Sequence, residues 1–185
     1  MNNTTQSKRV FAGIKLSDEI AEQCTKLQAE IGDLPARFIP PEDMHLTLLP
    51  PIMMTDDAYV IGRIREVLQS AKRFTLTLER LTYGPNMMHP TLLWIECAVV
   101  PEIVALKKAL AYAFSDNDHL PFIPHITLAR LKEEDTAMLA RRPVERPLKL
   151  SMPVESIELF LSPNQGGVGY TVLESLPIPL HNMPG

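Results

Sequence analysis

Twice along this chain a segment with helically spaced apolar residues runs into a proline-marked connection and then into a tetrapeptide of the form His-x-Thr-x. The two copies are His45-Leu46-Thr47-Leu48 and His125-Ile126-Thr127-Leu128. Side chains two apart on a strand point the same way, so in each copy the imidazole and the hydroxyl share one face while the apolar residues share the other. Each tetrapeptide is therefore expected to be half buried and half presented. A fold that carries this arrangement twice needs two similar halves, each burying one His-x-Thr strand and turning its polar face toward a common space.

The segments around the tetrapeptides support that plan. Val10, Ala12, Ile14 and Leu16 alternate as on a strand with one buried side. Ser17 is then placed to cap a helix, with Asp18 and Glu19 in its first turn, with Ile20, Cys24, Leu27 and Ile31 as its stripe and Gly32 as its stop. Pro35, Pro40 and Pro41 mark the connection to His45. A second helix is expected from about Asp56 to Ala71, and strands over Phe74–Leu78 and Thr91–Cys97 flank a turn at Tyr83-Gly84-Pro85-Asn86. A third helix begins at Pro101, where the missing N–H costs nothing, and Pro121 and Pro124 precede His125. A short helix near Glu133–Ala140 and a hairpin of Ile157–Leu161 with Tyr170–Leu173 complete the chain. The expected architecture is α+β and bilobal: one domain over residues 1–185, built of two pseudo-symmetric halves with mainly antiparallel sheet and flanking helices around a central cleft.

Composition excludes several classes of function. A net charge of −4 argues against coating nucleic acid by charge alone, so any nucleic acid should be met at one point, such as an end. The most apolar run, Thr91 to Val100, is interrupted by Glu96 and falls well short of the roughly 20 residues of a membrane helix. The N-terminus carries no signal-like apolar stretch, and Cys24 and Cys97 are far apart with no metal or redox spacing. A cytoplasmic monomer with two free thiols, no membrane partner, no metal and no cofactor is expected.

Two histidines and two hydroxyls without a carboxylate partner suit phosphodiester cleavage by general acid–base catalysis. Displacement at phosphorus is roughly in line, so nucleophile and leaving oxygen lie on opposite sides and need separate proton carriers. Histidine can be supplied neutral or protonated near neutral pH, and the threonines can donate to the non-bridging oxygens.

Paired His-x-Thr-x tetrapeptides about 80 residues apart resemble the 2H phosphoesterase superfamily. Arg9-Val10-Phe11-Ala12, Pro124-His125-Ile126-Thr127-Leu128-Ala129-Arg130 and the closing strands resemble its bacterial and archaeal RNA 2′,3′-cyclic phosphodiesterase (2′-5′ RNA ligase-like) branch. The resemblance implies hydrolysis of 2′,3′-cyclic phosphates on RNA ends or small cyclic nucleotides to 2′-phosphates. It implies His45 as the acid that protonates O3′ and His125 as the base that activates water, with 2′-5′ ligation as the reverse reaction. Two other readings are a non-catalytic nucleotide-binding module and a 2H enzyme acting on another cyclic or linear phosphodiester.

By the same resemblance Arg130 is a substrate-phosphate residue. Regular alternation would instead put it on the face of Ile126 and Leu128, so that role requires a bulge or strand end near Ala129. Phe11 is either a base-stacking aromatic or a core residue between layers, and Tyr170 is equally open. His89, His119 and His181 read as surface-loop histidines, and Arg141, Arg142 and Arg146 as a solvated basic cluster able to touch RNA. The stretch Leu49-Pro50-Pro51-Ile52-Met53-Met54 departs from the family's Phe-Leu-Gly-like continuation, which leaves the shape of an adjoining loop open.

Overall fold

The computed structural model describes residues 7–116, 121–139, 141–163 and 168–180. In chain order its elements are β1 (Lys8–Lys15), α1 (Asp18–Glu30), β2 (Ala36–Phe38), β3 (His45–Met54), α2 (Asp57–Leu68), β4 (Phe74–Gly84), β5 (Leu92–Cys97), α3 (Pro101–Ala113), β6 (His125–Leu131), α4 (Thr136–Leu139), β7 (Glu145–Val154), β8 (Ser156–Leu161) and β9 (Thr171–Pro177). Every strand pairing is antiparallel.

The strands run in the order β7-β4-β5-β6-β3-β1-β8-β9, with β2 on β6. The middle of that order is the weak place. β3 and β6 are joined by one register pair, Leu46 with Ile126, each next to a histidine of the tetrapeptides. Two four-stranded halves thus meet at a single point, and β2 takes over the edge of β6 from Ala129 to Leu131. The gap between the halves is the cleft.

Each half repeats one unit, strand–helix–histidine strand: β1-α1-β3 in one, β5-α3-β6 in the other. Ser17 Oγ accepts from Ile20 N at 3.4 Å to cap α1, and Asp56 caps α2 through Tyr59 N at 3.1 Å. Such caps contribute about 1 kcal/mol each. Helix α1 reaches over the opposite half, where the buried Gln28 amide donates to the carbonyl oxygens of Ile39 and Leu128 at 2.8 and 2.9 Å. Leu46, Leu48, Leu49, Ile126, Leu128 and Ala129 are fully buried, so the apolar faces of both histidine strands form the centre of the core. Burying one such leucine is favourable by roughly 1.5–3 kcal/mol.

Three expectations need correction. The segment after Leu49 is not a loop: β3 continues through Pro50 and Pro51, with Ile52, Met53 and Met54 paired to Val10, Arg9 and Lys8. The structure adds a ten-residue strand, β7, that alternation did not reveal. It lies at the sheet edge, where proline is tolerated, and its Pro147 and Pro153 face Arg80 and Thr75 of β4. Helix α4 is only four residues, preceded by a 3₁₀ turn at Glu133–Asp135.

Candidate active site

His45 opens β3 after a tight 3₁₀ turn at Pro41–Asp43, and His125 opens β6 directly after the buried Pro124. Both rings are oriented by one local device. His45 Nδ1 lies 2.7 Å from the carbonyl oxygen of Asp43, and His125 Nδ1 lies 2.8 Å from that of Ile123, in each case two residues upstream. A carbonyl can only accept, so Nδ1 carries the hydrogen and Nε2 is the nitrogen available for proton transfer.

The rings are also packed. His45 is backed by Phe11, Tyr170 and Phe160 at centroid distances of 4.7, 5.2 and 5.4 Å. His125 rests on Trp94 at 4.3 Å. Burial lowers the pKa of His45 below the ordinary imidazole value; the Asp43 carbonyl hydrogen bond and carboxylate work against this, and the nearby His125 and Arg130 add to it. Burial lowers His125 as well, against the Ile123 carbonyl and Glu96. His45, His125 and Arg130 line one cleft.

A cleft of about 300 Å³ holds His45, Thr47, His125 and Thr127 on its wall. Arg130 is on the same wall, and the reason is a bulge. In the β5–β6 ladder Trp94 faces Thr127 and Leu93 faces Ala129, so Leu128 is an extra residue. The extra residue reverses the alternation, turning Leu128 and Ala129 inward and Arg130 to the side of His125 and Thr127. β3 has the matching bulge at Leu48, where Gly13 faces Thr47 and Ala12 faces Leu49. A Cβ on Gly13 would lie 2.4 Å from the Leu46 carbonyl oxygen, so this approach of β1 to β3 requires glycine.

The family model described as the 2′-5′ RNA ligase superfamily matches residues 16–165, a span that includes both tetrapeptides. The chain belongs to this superfamily. It is similar to a protein of Aquifex aeolicus (strain VF5) named RNA 2′,3′-cyclic phosphodiesterase, with 25% identity over 140 residues, 71% of this chain and 74% of that protein. Among solved structures, TT0787 of Thermus thermophilus superposes with a TM-score of 0.77 at 24% identity, covering 92% of this chain and 97% of the other. E. coli LigT complexed with 3′-AMP gives a TM-score of 0.72 at 24% identity, covering 95% and 100%. These likenesses establish that the superfamily's fold spans nearly the whole chain, α+β with two halves around a cleft.

Within this superfamily member the remaining expected residues fall as follows. Phe11 lines the cleft but is only 3% exposed, its ring stacked on Phe160 at 4.8 Å and 11°. A ring so covered backs His45 and has little free face for a base; Tyr170, half-buried, has more. Arg142 and Arg146 are neutralised by Asp33 and Glu30. His89 is exposed, in a turn closed to Asn86, while His119 and His181 lie outside the described residues. Cys24 and Cys97 are free and buried, each thiol pushed up to about 12 chiefly by burial. Among the described residues no three His, Cys, Asp or Glu side chains gather to hold a metal ion, and no helix is long and apolar enough to cross a membrane.

Three polar cleft residues, Asp43, Arg9 and Ser162, are not among those expected at the site. Asp43, 2% exposed, receives Gly169 N and Tyr170 N on its two carboxylate oxygens at 2.6 and 2.8 Å. Arg9 and Ser162 also line the cleft and are hydrogen-bonded to each other. Arg9 stands in the family-like stretch Arg9-Val10-Phe11-Ala12 with no role implied for it there, and no local pattern announces Asp43 or Ser162, whose partners lie more than a hundred residues away.

Proposed function

We propose that this chain hydrolyses 2′,3′-cyclic phosphates at RNA ends or on small nucleotides to 2′-phosphates, with His45 and His125 as proton carriers and no metal. The observation that carries the reading is the matched pair of imidazoles, each with Nδ1 committed to a carbonyl two residues upstream and both on one cleft wall. A module that only binds phosphate has no need to fix the same tautomer twice. The name of the Aquifex relative and the 3′-AMP held by LigT support a nucleotide phosphodiester as substrate.

In the proposed reaction the cyclic phosphate sits between the rings. His125 Nε2 takes a proton from water as it attacks phosphorus, and His45 Nε2 delivers its proton to the departing O3′. Thr47, Thr127 and Arg130 donate to the non-bridging oxygens, holding charge that is present throughout. For hydrogen bonds of about 2.8 Å on both sides, the Nε2 atoms of the bound state lie roughly 5 to 7 Å apart.

The test is incubation with a panel of 2′,3′-cyclic and 3′,5′-cyclic nucleotides and RNA carrying a 2′,3′-cyclic end, before and after exhaustive EDTA treatment. The expected result is 2′-phosphate product from the 2′,3′-cyclic substrates alone, at a rate unaffected by EDTA. Turnover of only 3′,5′-cyclic or linear diesters, or a rate restored only by one divalent ion, defeats the proposal.

A further inference from the structure

The arginines of this chain are partitioned by their partners. Arg63, Arg65, Arg73, Arg80, Arg142 and Arg146 each pair with a carboxylate. Among the described residues Arg9, Arg37, Arg130 and Arg141 form no such salt bridge. Arg9 and Arg130 line the cleft, and Arg37 faces Arg130 across the β2–β6 ladder, so their side chains share one side of the sheet. In a protein of net charge −4, two of these four arginines thus line the cleft without a carboxylate partner. Arg130, beside Thr127, serves the reacting phosphate in the reading above. Arg9 has no task there.

Arg9 stands two residues before Phe11 on β1, on the same face and about 7 Å further along the strand. Phe11 touches His45, so Arg9 lies one step beyond the reaction centre. Its guanidinium donates through Nη1 to Ser162 Oγ, which is buried and donates in turn to the Pro163 carbonyl at 3.1 Å. The serine fixes the side chain without cancelling its charge, and a guanidinium has further N–H donors to offer. The Asp43 carboxylate on the same wall is 2% exposed, with both oxygens bonded to backbone N–H groups. Beyond Arg9 and Ser162 a second cavity of about 280 Å³ continues past Lys8 and Thr171. Arg9 and Ser162 line both cavities, so Arg9 stands between them.

We propose that Arg9, held by Ser162, is a second anion subsite that binds the phosphodiester one nucleotide upstream of the cyclic phosphate, making the preferred substrate an oligonucleotide end. This rests on the phosphodiesterase reading and names its substrate class: a free mononucleotide has no group to place at Arg9, whereas a chain ending in a cyclic phosphate does.

The test compares kcat/KM for a nucleoside 2′,3′-cyclic phosphate with that for a dinucleotide bearing the same cyclic end. The wild-type ratio should favour the dinucleotide by about tenfold, as expected for one charge-assisted contact. Arg9→Gln should reduce this preference about tenfold, Arg9→Lys should retain part of it, and Arg130→Gln should lower both rates and leave their ratio standing. In parallel, the Kd of the dinucleotide 2′-phosphate product is measured against salt, where Arg9→Gln should weaken binding and reduce the log–log slope by about 0.7, the value for one phosphate on a single strand. An unchanged ratio together with an unchanged slope overturns the subsite. If neither cyclic substrate is hydrolysed, the phosphodiesterase reading falls by itself, and equal product affinity in wild type and Arg9→Gln then overturns the subsite separately.

Discussion

Asp43 accepts the backbone N–H of Tyr170 at 2.8 Å, and through that bond the start of β3 holds the start of β9 against the cleft. The same carboxylate accepts Gly169 N, its backbone oxygen orients the His45 ring, and Tyr170 packs edge-on to that ring. One residue therefore fixes both the tautomer of His45 and the aromatic wall beside it. Asp43→Ala strands the two N–H groups and should destabilise the fold by about 1–3 kcal/mol in urea denaturation. It should also lower kcat/KM more than a structural loss of that size explains, because Tyr170 is released from His45. Asp43→Asn keeps one carboxamide oxygen and should fall between. Wild-type stability and wild-type kcat/KM in Asp43→Ala would falsify this role.

The depressed pKa values of His45 and His125 set a sign for the pH dependence. Both are pushed below the usual imidazole value, principally by burial. With one ring required neutral and the other protonated, kcat/KM should be bell-shaped with its maximum on the acid side of pH 6.5 and a decline above it. A bound phosphate anion favours the protonated rings, so the kcat profile should lie to the alkaline side of the kcat/KM profile. For stability the sign is opposite: the folded chain binds fewer protons than the unfolded one, so this contribution is complete above the unfolded pKa and is lost as pH falls through the folded values. Thermal melts from about pH 7.5 to about pH 5 on wild type and the His45→Ala, His125→Ala double variant measure it. A wild-type protein that loses no more stability than the double variant on acidification contradicts the shifts.

Gly13→Ala probes the bulge that turns β3 beside its histidine. The added methyl would sit 2.4 Å from the Leu46 carbonyl oxygen, a backbone atom that cannot swing aside. Strand β1 must then move away from β3, and the expected cost is about 1–3 kcal/mol as for other overpacked sites. Because Gly13 faces Thr47 in register, kcat/KM should fall together with Tm. An unchanged Tm removes the steric argument.

What the sequence made legible, and what it did not, follows from the range of the interactions involved. The two tetrapeptides, the Ser17 cap with its helix stripe, Pro101 at the start of α3 and the β8–β9 hairpin are written in residues close together, and the structure places them as expected. Alternation alone put Arg130 on the buried face; a one-residue bulge at Leu128, set by the register with β5, turns it to the cleft. Strand β7 carries two prolines that argue against a strand until its place at the edge is known. Asp43, Arg9 and Ser162 become site residues only through contacts 126 to 153 positions apart, and no local spacing encodes those.

The division of labour between the histidines is tested by the leaving group. Loss of general acid or base assistance typically costs about 10²- to 10⁴-fold, so His45→Ala and His125→Ala should each lose at least that much kcat/KM on a 2′,3′-cyclic nucleotide, and Thr47→Ala and Thr127→Ala less. The two histidine variants fail for different reasons. Without its acid, His45→Ala must expel O3′ as an alkoxide, and without its base, His125→Ala must attack with unassisted water. A cyclic phosphate whose leaving oxygen belongs to a phenol needs little protonation to depart, so it should restore much of the lost rate to His45→Ala and none to His125→Ala. The near-equivalent settings of the two rings, each with Nδ1 on an upstream carbonyl, make this a demanding comparison, since geometry alone does not separate them. Each ring also has a carboxylate that favours its protonated form, Asp43 for His45 and Glu96 for His125, so the leaving group and not the local charge assigns the roles. Rescue of His125→Ala instead would exchange the two roles, and equal rescue of both would remove the separation of acid and base altogether.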